Sequence, residues 1–119
     1  MLRTVYVSQD LPDDVKEKLK KELRLGFLNL SEGEFEAAKQ NFQLSLEYDD
    51  KCAEAYWGLA LGECEIKNES ELYSNPNKFK DFLQLKNGQL AVGFASEEQK
   101  KFYMGLLEKI FQINEGNYY

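Results

Sequence analysis

A pattern of small and apolar residues that restarts after 34 positions most constrains what this chain can fold into. Leu25-Gly26 is followed by Gly33, Ala38 and Phe42, and Leu59-Ala60 then repeats the first pair. Gly26 and Ala60 lack bulk, so a neighbouring helix can approach closely at both points. Leu25, Leu28 and the stretch from Phe35 to Phe42 lie on apolar stripes with helical spacing. Gly33 favours the end of a helix, and Glu34-Phe35-Glu36-Ala37-Ala38 restarts one. The residues therefore predict a helical hairpin followed by the first half of another. Leu25, Gly26, Ala38, Phe42, Leu59 and Ala60 are expected to be buried where the first three helices meet.

This spacing resembles the tetratricopeptide repeat, whose pattern reads W-x2-L-G-x2-Y, then A-x3-F, then P. Leu25, Gly26, Ala38 and Phe42 fit it, and Ser45 supplies a small residue at a close approach. Tyr56, Leu59 and Ala60 match in the second unit. Glu22 stands where the family prefers Trp, Asn29 and Glu63 where it prefers Tyr, and Asp50 where it prefers Pro. The resemblance implies an all-α tetratricopeptide-like fold of about one and a half repeats, with an irregular insertion and a C-terminal capping helix. The layout is similar to small bacterial tetratricopeptide proteins. It also implies a protein-interaction module that binds a peptide or helix of a partner protein through an apolar groove. In the family one face of each repeat's first helix lines that groove. The same offset pairs Leu23 with Trp57, Phe27 with Leu61, and Leu30 with Cys64, and these six are the candidate partner-binding residues. Trp57 is the expected anchor, because large aromatics dominate binding hot spots. Some family members clamp a ligand's terminal carboxylate with Lys, Asn and Arg. Leu23, Phe27 and Gly58 occupy comparable positions here, so an amphipathic helix is the better guess. If the chain's own final helix covers these residues, they are core instead.

One hairpin buries too little apolar surface alone, and repeat arrays usually need about three units. Something else must cap this one. Residues 1–10 include Leu2 to Val7, a short β-prone stretch that is either an extended arm or a frayed terminus. The repeat helices occupy residues 13–67. The first is capped by Asp10 or Asp13 with Pro12 near its first turn, and runs to about 30. The second spans about 34–48, and the third begins at 52 or 53 and reaches about 67. Residues 68–95 read as the insertion. Pro76 falls where a repeat would need a helix interior, Phe79, Phe82, Leu83 and Leu85 suggest a short helix or turn, and Asn87-Gly88 marks a break before another short helix. Ser96 followed by Glu97, Glu98 and Gln99 starts a final helix of about 97–114. Phe102, Tyr103, Leu106, Leu107, Ile110, Phe111 and Ile113 cover roughly half its circumference, so it is the expected cap.

Composition excludes other classes. At 119 residues the chain is one domain, and its 43% hydrophobic and 13% aromatic content is globular. The net charge of −6 and the absence of a basic run argue against nucleic acid. No apolar run approaches the ~20 residues that span a membrane, and the N-terminus lacks a signal-peptide core. A cytoplasmic location is therefore expected. Cys52 and Cys64, ~18 Å apart along a helix, are too far for a disulfide. The chain has no His, no Gly-rich phosphate loop and no Cys/His cluster. An enzyme, a cofactor and a metal are accordingly not expected. The alternative to a peptide-binding module is a structural protein whose apolar surface makes a homodimer.

Overall fold

Helical periodicity, with a break at each Gly- or Asn-rich turn, yields an all-helical chain. The computed structural model describes residues 3–116 except 76, 77, 79, 80 and 83, without the side chains of 107 and 110–116. Among these residues there is no strand, residues 78, 81, 82 and 84 are helical, and six helices have described ends. They are α1 (Asp13–Ser31), α2 (Phe35–Tyr48), α3 (Ala53–Glu63), α4 (Ser70–Ser74), α5 (Lys86–Phe94) and α6 (Glu97–Gly116). The expectations placed on Pro76, Phe79 and Leu83, and on the side chains of Leu107, Ile110, Phe111 and Ile113, lie outside the described residues.

α1 and α2 form an antiparallel hairpin across Gly33, which adopts the left-handed φ of 78°. α2 packs on both α1 and α3, and α3 packs on α5. Phe42 is the centre of this arrangement. Its ring is fully buried, between Gly26 of α1 and Gly58 of α3. A methyl group at either glycine would lie 2.6 Å and 2.2 Å from that ring, inside van der Waals contact. Phe27 meets the same ring edge-on, with centroids 5.0 Å apart. The departures from the repeat pattern have a role of their own. Asn29 Nδ2 donates to Asn41 Oδ1 at 2.8 Å, and Asn41 Nδ2 donates to Glu22 Oε2 at 3.0 Å, so a polar ladder pins α1 to α2.

Several sequence expectations need correction. Leu25 is 38% exposed rather than core. The inward stripe of α1 runs through Leu19, Leu23, Gly26, Phe27 and Leu30, and Leu25 sits about 100° from Gly26. Leu59 is only partly buried. No side-chain oxygen caps α1; Pro12 holds the cap position and Asp13 lies inside the first turn. α3 ends at Glu63, short of residue 67, because Glu65 turns left-handed at φ 55°. The Ile66 N–H then donates to Leu61 O and the Glu65 N–H to Gly62 O, closing the turn. Asn87-Gly88 is no break, since both lie in the first turn of α5. Gly88 is buried there, and a glycine is needed because a Cβ would stand 2.7 Å from the Phe82 carbonyl oxygen.

The N-terminal arm and α6 complete the core. Residues 3–7 have no regular structure, yet Val5 is buried among the helices. α6 opens with the expected reciprocal cap. The Gln99 N–H donates to Ser96 Oγ at 3.2 Å, and the Ser96 N–H donates to Gln99 Oε1 at 2.9 Å. Its inward face carries Gln99, Tyr103 and Leu106, whereas Phe102 is 45% exposed. α6 runs beside α4, while α5 forms the main contact of α3. The arm and α6 thus add Val5, Tyr103 and Leu106 to the buried helical core.

Candidate partner-binding cleft

Trp57 shows what those closing elements do. It projects from α3 and is 1% exposed. Tyr103 of α6 stacks on it at 4.0 Å with an interplanar angle of 12°, and Phe82 meets its edge at 4.8 Å. Its indole N–H donates to Glu69 Oε1 at 3.0 Å. The arm supplies the rest. Arg3 holds Glu69 with two hydrogen bonds, at 3.0 and 2.5 Å, and lies 3.8 Å over the Phe27 ring. Burial alone would raise the Glu69 pKa, but the Arg3 guanidinium and the indole N–H outweigh it and hold the carboxyl below its ordinary range.

A second buried carboxylate faces the same arm. Glu54 is 2% exposed and receives the Tyr103 hydroxyl at 3.4 Å. Burial pushes its pKa up to about 7, against the lowering pull of Arg3, the Tyr6 backbone and Gln99. Among the described residues Glu54 Oε2 and Arg3 Nε are buried without a hydrogen-bond partner. Burial likewise raises the Tyr103 hydroxyl and pushes the Cys52 thiol up to about 12, so neither ionises near neutral pH.

The six candidate residues therefore divide. Leu23, Leu30 and Trp57 are interior, and Phe82 and Tyr103 of α6 cover Trp57. Cys64 is half-buried at the end of α3, a free thiol raised by burial. Phe27 and Leu61, 6% and 1% exposed, form the floor of an open cleft of about 340 Å³. One wall is the outer face of α1, with Arg24, Leu25, Leu28 and Ser31. The other is the connection after α3, with Lys67, Asn68 and Glu69, and Arg3 completes the floor. Leu25 and Leu28 stand 38% and 53% exposed at its edge. The spacing of Phe27 and Leu61 signals this cleft in the sequence. Nothing local signals Arg3 or Lys67, which reach it only through tertiary folding.

A larger cleft of about 530 Å³ lies between the arm and the starts of α3 and α6. Its lining sets Asp49, Glu97 and Glu98 against Lys51. Tyr6, Val7 and Phe94 share that lining, so its polar and apolar surface are about equal, whereas the cleft beside α1 is the more apolar of the two. Among the described residues no group of three His, Cys, Asp or Glu is placed to hold a metal ion, and no helix is long and apolar enough to cross a membrane. Compared with protein families, with curated proteins and with solved structures, the chain matches none.

Proposed function

We propose that this chain is a protein-interaction module of tetratricopeptide-like architecture, binding a peptide or helix of a partner protein. The observation that carries the reading is the open cleft beside α1. Its floor sets Phe27 and Leu61 beside Arg3, and Leu25 and Leu28 expose large aliphatic side chains at its edge on an otherwise acidic chain. Exposed aliphatic side chains at the rim of a cleft are a surface that the apolar side chains of a partner can cover. The repeat architecture is supported by the shared inward placement of Gly26 and Ala60, and by Phe42 wedged between Gly26 and Gly58. Trp57 is covered by Tyr103 of α6 and by Phe82, so the partner meets the outer face of α1, where Leu25 and Leu28 stand exposed beside the nearly buried Phe27 and Leu61.

The test is affinity capture with the full chain and with Leu28→Glu, which changes an exposed side chain. A protein retained by the wild type and lost with Leu28→Glu supports the reading. Identical capture by both removes the cleft as the site. Homodimerisation is the second reading, favoured by Phe102 and Met104, 45% and 53% exposed on α6. Light scattering decides it: a concentration-independent monomer excludes a stable dimer.

A further inference from the structure

We infer that the segment seated in this cleft is an amphipathic stretch of a partner protein, apolar where it meets Leu25 and Leu28 and acidic where it faces Arg24 and Lys67. The inference rests on the interaction reading and names the partner's chemistry. Three cations line the cleft, Arg3, Arg24 and Lys67, against a single carboxylate, Glu69. That carboxylate is already matched by both donors of Arg3 and by the Trp57 indole. Arg24 and Lys67 are exposed, on opposite walls, and neither is in a salt bridge among the described residues. The lining of the cleft therefore carries a net charge of +2 around Phe27 and Leu61, with the Glu71 carboxylate just outside it, accepting the Lys67 backbone N–H at 3.2 Å.

The sign is opposite to that of the whole chain, which carries −6. At physiological salt a charge is felt over only ~8 Å, so a segment lying in the cleft senses its lining cations and the adjoining Glu71 more than the charge of the whole chain. The α1 wall also sets a geometry. Arg24 and Leu28 are one helical turn apart, with Leu25 between them. An incoming segment with an apolar residue and an Asp or Glu about a turn apart would meet a leucine and a cation at once. At about 340 Å³ the cleft is at the small end of ligand sites, roughly 300–1,000 Å³. It suits an inserted side chain with its flanking backbone. Charge complementarity of this kind chooses among partners and speeds encounter more than it adds raw affinity. A basic segment with the same apolar residues is accordingly refused.

Selection of a displayed random peptide library, with the random segment internal, on the full-length chain tests this. The expected result is enrichment of segments that combine Asp or Glu with Leu, Ile or Phe. Synthetic copies with amidated C-termini should bind the Arg24→Glu/Lys67→Glu double variant at least about tenfold more weakly, and should weaken with added salt. Both substitutions are at exposed positions, and an unchanged circular dichroism spectrum and melting temperature show that the variant is folded. Enrichment of basic or uncharged segments, or equal binding to the double variant, overturns the inference while leaving the interaction module standing. Binding only by peptides with a free C-terminal carboxylate also overturns it. No enrichment at all, or peptides indifferent to Leu28→Glu, removes the cleft as a binding site and the inference with it.

Discussion

At the scale of single residues, two positions control this protein for different reasons. Phe42 has no slack on either side. Phe42→Ala should cost about 3–5 kcal/mol, as large core truncations do. Gly58→Ala should cost about 1–3 kcal/mol by overpacking, because the added methyl meets the ring at 2.2 Å. Urea unfolding measures both, and wild-type-like midpoints would show that the ring is not clamped. Glu54 is governed by protonation. Its pKa is about 7 in the folded chain against an ordinary 4.5, so folding favours the protonated acid. That stability is fully present below the ordinary value and is lost as pH rises through about 7. The groups facing it are Arg3, Glu69, Tyr103, Gln99 and the Tyr6 backbone. Glu54→Gln mimics the neutral form. It should exceed the wild type by about 3 kcal/mol at pH 8 and approach it near pH 4. Parallel pH profiles for the two proteins would reject this account. The sequence marks Phe42 through its spacing from Ala38. Glu54 reads there as an ordinary first-turn acid of a helix. Only the arm and α6, distant in sequence, bury it.

At the scale of elements, α6 and the arm are lids on the same aromatic cluster. Trp57 fluorescence should be blue-shifted and protected from iodide in the free chain, because the indole is 1% exposed beneath Tyr103. Tyr103→Ala should shift it red and admit quencher. Deletion from Ser96 onward should unfold or aggregate the protein, since Tyr103 and Leu106 lose their buried places, each worth roughly 1.5–3 kcal/mol. The helix ends were unequally legible. Ser96 and Gln99 form a cap that needs only residues three apart, so its place could be read directly from the chain. The end of α3 depends instead on Glu65 adopting a left-handed backbone, which a non-glycine residue does not advertise. Glu65→Gly should stabilise the chain by about 1 kcal/mol by removing that strain, as thermal melts would show. Gly88 misled for the opposite reason. It resembles a turn residue, but it serves a close approach to Phe82 within α5.

At the scale of the whole molecule, folding and recognition are carried by separate surfaces. Arg24, Leu28 and Lys67 are exposed, so Arg24→Glu, Leu28→Glu and Lys67→Glu should each change stability by less than about 0.5 kcal/mol while altering partner binding. Arg3 differs from them. Arg3→Ala leaves a mostly buried Glu69 with only the indole N–H, and should cost about 2 kcal/mol, with a red-shift of Trp57 reporting the loosened arm. Equal melting temperatures for Arg3→Ala and the wild type would show that the arm is not latched. The sequence by itself determined the helical class, the hairpin around Gly33 and the start of the final helix. These follow from periodicity and caps that act within a few residues. Only the tertiary structure decided which side of the helical core stays open. The arm's Arg3 meets Glu69 across 66 positions, and Tyr103 of α6 covers Trp57. Contacts at such separations leave no local pattern, so the interior placement of Trp57 and the cation-rimmed cleft emerge only when the whole chain packs.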